Sequence, residues 1–210
     1  MKNILLVIYL LAYTQANAQR APEAGLNMST YSNIPGPAKT GIRIGVTQNM
    51  IYLSENVFLQ PSLFYVLNGT NYTAPYAPSN NYYVTLRRTD EKITVHTLEI
   101  PLNIMYKHGA PDESGFFLGA GILLNINLAE KYNAGETQYD HFDLLEFGLG
   151  ANAGYQFSTN RFIRARAQRS LGSSEKTSVY SLPGLNRSYG ITIGYYLGQG
   201  TRKLHSATDK

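Results

Sequence analysis

The chain has 210 residues, room for one domain, and carries 18 Lys and Arg against 14 Asp and Glu. That mild positive balance forms no basic stripe and excludes a nucleic-acid surface, while the absence of Cys excludes a disulfide-stapled exported fold. Charged residues are 15% of the chain, against roughly 25% in an average soluble domain, and 17 Tyr with no Trp suit a lipid-facing wall with aromatic girdles.

Residues 1–18 read as a secretory signal peptide. Lys2 supplies a positive start, Ile4 to Ala12 a short apolar run, and Ala16-Asn17-Ala18 a cleavage site. The run is too short for a membrane helix, which needs about 20 apolar residues. Residues 19–198 are expected to form the folded domain, and 199–210 a disordered polar tail on the periplasmic side.

From Gln19 the dominant period is two, as in strands with one apolar and one polar face. Glu23–Thr30 is a short first strand with Ala24, Leu26 and Met28 on one side. Gly41–Tyr52 sets Ile42, Ile44 and Val46 against Arg43, Gly45 and Thr47. Val57–Asn68 sets Leu59, Leu63, Tyr65 and Leu67 against Gln60, Ser62 and Asn68, with Phe64 and Val66 blurring the polar side. Ile93–Tyr106 is the clearest, with Leu98, Ile100, Leu102 and Ile104 opposite Thr97, Glu99, Pro101 and Asn103. Phe116–Ile126 and Asp140–Phe157 alternate apolar residues with Gly and Asn, and Glu146 falls on the polar side. Phe162–Ser170 sets Ile163, Ala165 and Ala167 against Arg164, Arg166 and Gln168. The last strand, Ser188–Leu197, sets Tyr189, Ile191 and Ile193 against Gly190 and Thr192.

The eight strands are joined by connections that alternate long and short. The long ones are Tyr31–Thr40, Gly69–Lys92, Ala129–Tyr139 and Leu171–Arg187; the short ones surround residues 54–56, 109–114 and 158–160. Transmembrane barrels combine short periplasmic turns with longer extracellular loops, and an even strand number returns both termini to the periplasm. A soluble ligand-binding barrel would reverse the faces, putting apolar residues inside and a charged face in water. Here the polar face is mostly Gly, Asn, Thr, Ser and Gln, sized for a narrow eight-stranded interior. The expected fold is therefore all-β: an eight-stranded antiparallel up-and-down transmembrane barrel in the outer membrane.

Four segments carry a family resemblance: Leu98-Glu99-Ile100-Pro101-Leu102-Asn103, Gly115 to Gly121, Phe147 to Tyr155, and Gln60-Pro61-Ser62-Leu63-Phe64-Tyr65. Together they resemble the PorT-type outer-membrane barrels, built on the compact barrel also seen in OmpA-like domains. The resemblance spans nearly all of the mature chain and departs from the family at Ser62, where an acidic residue is common. It implies the fold strongly and an activity weakly. A structural or interaction role is implied, with outer-membrane lipid and an envelope or secretion-machinery protein as partners. Pro101 lies inside the best strand, where proline cannot donate to the ladder; a bulge answered by Pro61 is the expected remedy.

Arg43, Glu99, Glu146, Arg164 and Arg166 share the polar face, and buried charges must pair, so they are expected to plug the lumen. A secreted soluble barrel holding an apolar ligand and a lipid-modifying membrane enzyme are the competing readings. The enzyme would need a convergent set at the outer rim, for which His141 with Asp143, and His96, are the nearest candidates. The four His are scattered, without ligand spacing, so neither a metal nor a cofactor is expected. The sequons that begin at Asn68, Asn71 and Asn186 are expected in loops and read as chance matches.

Overall fold

Alternating residues project to opposite sides of an extended chain, so a strand with one apolar and one polar side can wall off lipid from a polar interior. The computed structural model, which describes residues 19–31, 36–76, 87–109, 113–132, 144–158, 160–173 and 186–197, builds eight such strands. They are β1 (Gln19–Tyr31), β2 (Lys39–Asn49, continued by Ile51–Tyr52), β3 (Val57–Tyr76), β4 (Arg87–Lys107), β5 (Gly115–Tyr132), β6 (Leu145–Gln156), β7 (Arg161–Ser173) and β8 (Asn186–Tyr195). The expected signal peptide and polar tail, and His141, Asp143 and His205, lie outside the described residues.

Each strand pairs antiparallel with the next, and β1 pairs with β8 from Glu23↔Gly194 to Tyr31↔Asn186. The sheet therefore closes, and no strand is left with an unpaired side to cover. Burial alternates along every wall: Leu102, Ile122, Leu149 and Ile191 face outward, while Asn103, Leu123, Asn152 and Thr192 face inward. The apolar side is outside and the polar side within, which excludes the soluble barrel with an apolar cavity.

Two local expectations are corrected. The segment Gly69–Lys92 is not a simple loop, because β3 and β4 stay paired from Gly69↔Thr94 to Tyr76↔Arg87. Above the lipid neither face of a hairpin needs to be apolar, so the alternation that marks a membrane strand fades while the backbone ladder continues. Asn68 and Asn71 consequently lie on β3 and Asn186 on β8 rather than in loops, and Asn68 is fully buried.

The second correction concerns Pro101. Its pairing with Leu123 and that of Pro61 with Leu102 keep one uninterrupted register, with no bulge. The ladder merely skips Ser62 and Leu63 between Pro61↔Leu102 and Phe64↔Glu99. The true irregularities are nearer the long-loop end. One inserts Leu128 between Thr97↔Asn127 and His96↔Ala129; the other inserts Leu171 between Gly148↔Ser170 and Phe147↔Gly172. Both extra residues are leucines that stay outward, so each bulge adds an outward-facing side chain without turning the strand's polar set out of the lumen.

Candidate functional site: a charged and aromatic lumen

The lumen is filled in three layers. Nearest the short turns, Phe58, Met105, Phe117, Phe162 and Tyr196 form an apolar cluster with Ala21. At its edge Gln60 Nε2 donates to Asn49 Oδ1 at 2.7 Å, and Asn49 Nδ2 donates to Gln19 Oε1 at 3.2 Å.

The middle layer holds the charges. Arg43 on β2 meets Glu99 on β4 at 2.7 Å, and also donates to Gln168 on β7. Glu23 on β1 receives Arg164 and Arg166 of β7, each at 2.9 Å. Thr192 donates to the same carboxylate at 2.9 Å, and the Thr47 hydroxyl donates to its other oxygen. Glu23 thus accepts two guanidinium and two hydroxyl donors, the arrangement that makes a buried ion pair tolerable.

Rings and glycines set these arginines in place. Phe64, Phe117 and Phe162 each lie directly across the ladder from a glycine: Gly45, Gly154 and Gly194. A Cβ on those glycines would come within 2.5, 2.4 and 2.3 Å of the facing ring, so only glycine lets the ring lie flat on the wall. Arg43 and Arg166 then stack on Phe64, at 5.2 and 4.5 Å from its centroid. Arg164 stacks on both Phe117 and Phe162, at 5.1 and 5.0 Å. The guanidinium planes find π faces where acceptors run out. Beside Arg166, Asn103 and Asn152 the remaining void measures about 10 Å³, room for about one water at most.

The upper layer is a hydrogen-bond relay of neutral groups ending at a carboxylate. Asn27 donates to Asn68 (2.7 Å), Asn68 to Thr97 (3.3 Å), Thr97 to Asn127 (3.0 Å) and Asn127 to Glu146 (3.2 Å). Ser170 closes the belt on the other Glu146 oxygen at 2.8 Å.

The five residues singled out in the sequence all face the lumen, but they do not form one network. Arg43 joins Glu99, while Arg164 and Arg166 converge on Glu23, and Glu146 sits above both, where Asn127 and Ser170 donate to it. The sequence reading missed Glu23, whose parity opposite Ala24, Leu26 and Met28 already placed it inward. Its partner Arg164 is 141 residues away, a contact that exists only because β1 closes against β8. Phe64, which blurred the polar face in the sequence, is there to carry two arginines.

Outside the lumen, His96 faces outward, and its ring nitrogen meets the Tyr65 hydroxyl. Among the described residues no group of His, Asp or Glu could hold a metal.

A closed antiparallel barrel with an apolar exterior and a charge-filled core is a transmembrane barrel of the outer membrane. The comparisons place it: residues 15–176 match the family model for the outer membrane protein beta-barrel domain, and the chain belongs to that family. The crystal structure of OprG from Pseudomonas aeruginosa is similar, with 10% identity, TM-score 0.51, and 88% of this chain and 97% of that one covered. The outer membrane enzyme PagL is similar at 13% identity and TM-score 0.50, covering 84% and 99% of the two chains. At such identities the likeness concerns the fold. No curated protein matches the sequence.

Proposed function

We propose that this protein is a non-conducting, non-catalytic barrel that serves the outer membrane as a structural and interaction element. The observation that carries the reading is the middle layer, where Arg166 of β7 reaches Phe64 of β3 while Arg43 of β2 reaches Glu99 and Gln168. These links cross the lumen from one wall to another, in an interior that eight strands leave just wide enough for side chains to fill, and so support a lumen closed to ions. With the lumen closed, the extended β3–β4 hairpin is the element best placed to meet a partner outside. The PorT-type resemblance favours an envelope or secretion-machinery protein as that partner.

Planar-bilayer recording tests the closed lumen: the unmodified protein should give no steady single-channel current, and a large one refutes the reading. Epitope accessibility tests the presentation. A tag at Asn80 should be reached by antibody on intact cells and one at Lys210 should not; the reverse pattern inverts the topology. Since PagL is an outer membrane enzyme, envelope lipid composition should be compared between the wild type and H96A or H141A. A lipid-processing activity lost in either variant overturns the non-catalytic assignment.

A further inference from the structure

Arg169 on β7 and Arg187 on β8 are directly opposite each other in the ladder, and both are exposed on the outward face. Side chains so paired lie about 5 Å apart at their Cβ atoms, where like charges repel. Their other cross-strand neighbours, Leu149 beside Arg169 and Thr30 beside Arg187, cannot neutralise them. Among the described residues, neither arginine takes part in a salt bridge.

Their height in the wall gives this pair a meaning. β7 also carries an outward cation at its other end, Arg161, opposite Tyr195. Eight residues of strand span about 26 Å, or roughly 20 Å along the membrane normal at the usual tilt. The apolar band of such barrels is about 25 Å tall, so Arg161 and Arg169 fall near its two boundaries. With the long-loop end outside, Arg169 and Arg187 lie at headgroup depth in the outer leaflet.

Directly below the pair the wall is recessed. Ala151, Ala167 and Tyr189 follow one another across β6, β7 and β8, and with Leu149 they line a groove of about 430 Å³ under the two guanidiniums. The recess continues toward the periplasm as a trough of about 940 Å³ over Ala153 and Ala165, walled by Met28 and Ile191. Elsewhere the same face carries Leu, Ile and Phe, and a second trough of about 870 Å³ over Ala24 and Ile193 has the single cation Arg161 beside it, whereas the alanine trough ends beneath a pair of arginines.

We propose that this face binds a phosphate-bearing anionic lipid of the outer leaflet, its phosphate between Arg169 and Arg187 and an acyl chain along the alanine trough. Two guanidiniums suit one phosphate, through charge-assisted hydrogen bonds that also cancel their mutual repulsion. The trough adds apolar contact that a free anion could not use.

The test follows thermal unfolding of the full chain in a neutral maltoside detergent at rising dioleoyl phosphatidic acid. A lipid that binds only the folded barrel raises the midpoint saturably, and R169A/R187A should need at least about tenfold more lipid for the same rise. R161A removes a cation at the opposite rim and should keep the full response. A167L fills the groove with both arginines intact and should weaken it, so the site stays testable if the double variant does not fold. An equal rise with dioleoyl phosphatidylcholine, or an unchanged response in R169A/R187A or in A167L, overturns the proposal. A rise reproduced by inorganic phosphate alone shows a simple anion site and overturns the lipid assignment.

Discussion

Glu23 and Glu146 are both buried carboxylates on the inner wall, yet opposite chemistry holds them. Glu23 takes two arginines and two threonine hydroxyls, and the guanidinium nitrogens it does not reach face the Phe64, Phe117 and Phe162 rings. Glu146 has the Asn127 amide and the Ser170 hydroxyl among its partners, near the long-loop end of the lumen. The difference separates a middle layer that depends on charge from an upper layer that depends on hydrogen-bond geometry. A carboxylate that balances two buried cations is costly to neutralise, whereas hydrogen bonds from an amide and a hydroxyl lose less when the carboxylate becomes an amide.

That contrast can be broken first at its strongest point. Glu23→Gln leaves Arg164 and Arg166 without their shared counter-charge and should cost about 3–5 kcal/mol. Loss of the compact, fast-migrating band at lower temperature in gel assays would register it. A Glu146→Gln loss of the same size would erase the distinction between the layers.

Next comes the contrast between the two faces of one strand. Leu102→Arg sets a cation against lipid and should cost about 2–4 kcal/mol if near the midplane. Asn103→Arg, one residue on, meets the packed interior and should cost about 1–3 kcal/mol through overpacking. Anionic lipid should soften only the first. Identical costs and identical lipid responses would undo the face assignment.

Glu99→Gln is intermediate within the lumen. Arg43 loses its ion pair but keeps Gln168 and the Phe64 ring, so about 1.5–3 kcal/mol should go, read as a lower unfolding midpoint in detergent. Glu146→Gln should shift the same midpoint least, by about 1 kcal/mol or less. If both variants unfold as the wild type does, these two carboxylates do not hold the interior together.

The strand set, the outward face and the closed class were legible because lipid imposes one strict rule: alternate residues must be apolar for the length of the membrane. The rule acts residue by residue, so Ile93–Tyr106 or Phe162–Ser170 announces it without any partner. Where the rule lapses, the reading lapsed as well. The β3–β4 hairpin continues to Tyr76 and Arg87 in a region without lipid, and the bulges at Leu128 and Leu171 shift register where no sequence period records a shift.

The inward charges were legible as a set, because parity alone puts Arg43, Glu99, Glu146, Arg164 and Arg166 on one face. Their pairing was not. Which guanidinium reaches which carboxylate depends on closure, on strand stagger, and on the glycines that let Phe64, Phe117 and Phe162 lie flat. Period two tells a side chain which side of the wall it is on; only the closed cylinder tells it what stands on the opposite wall.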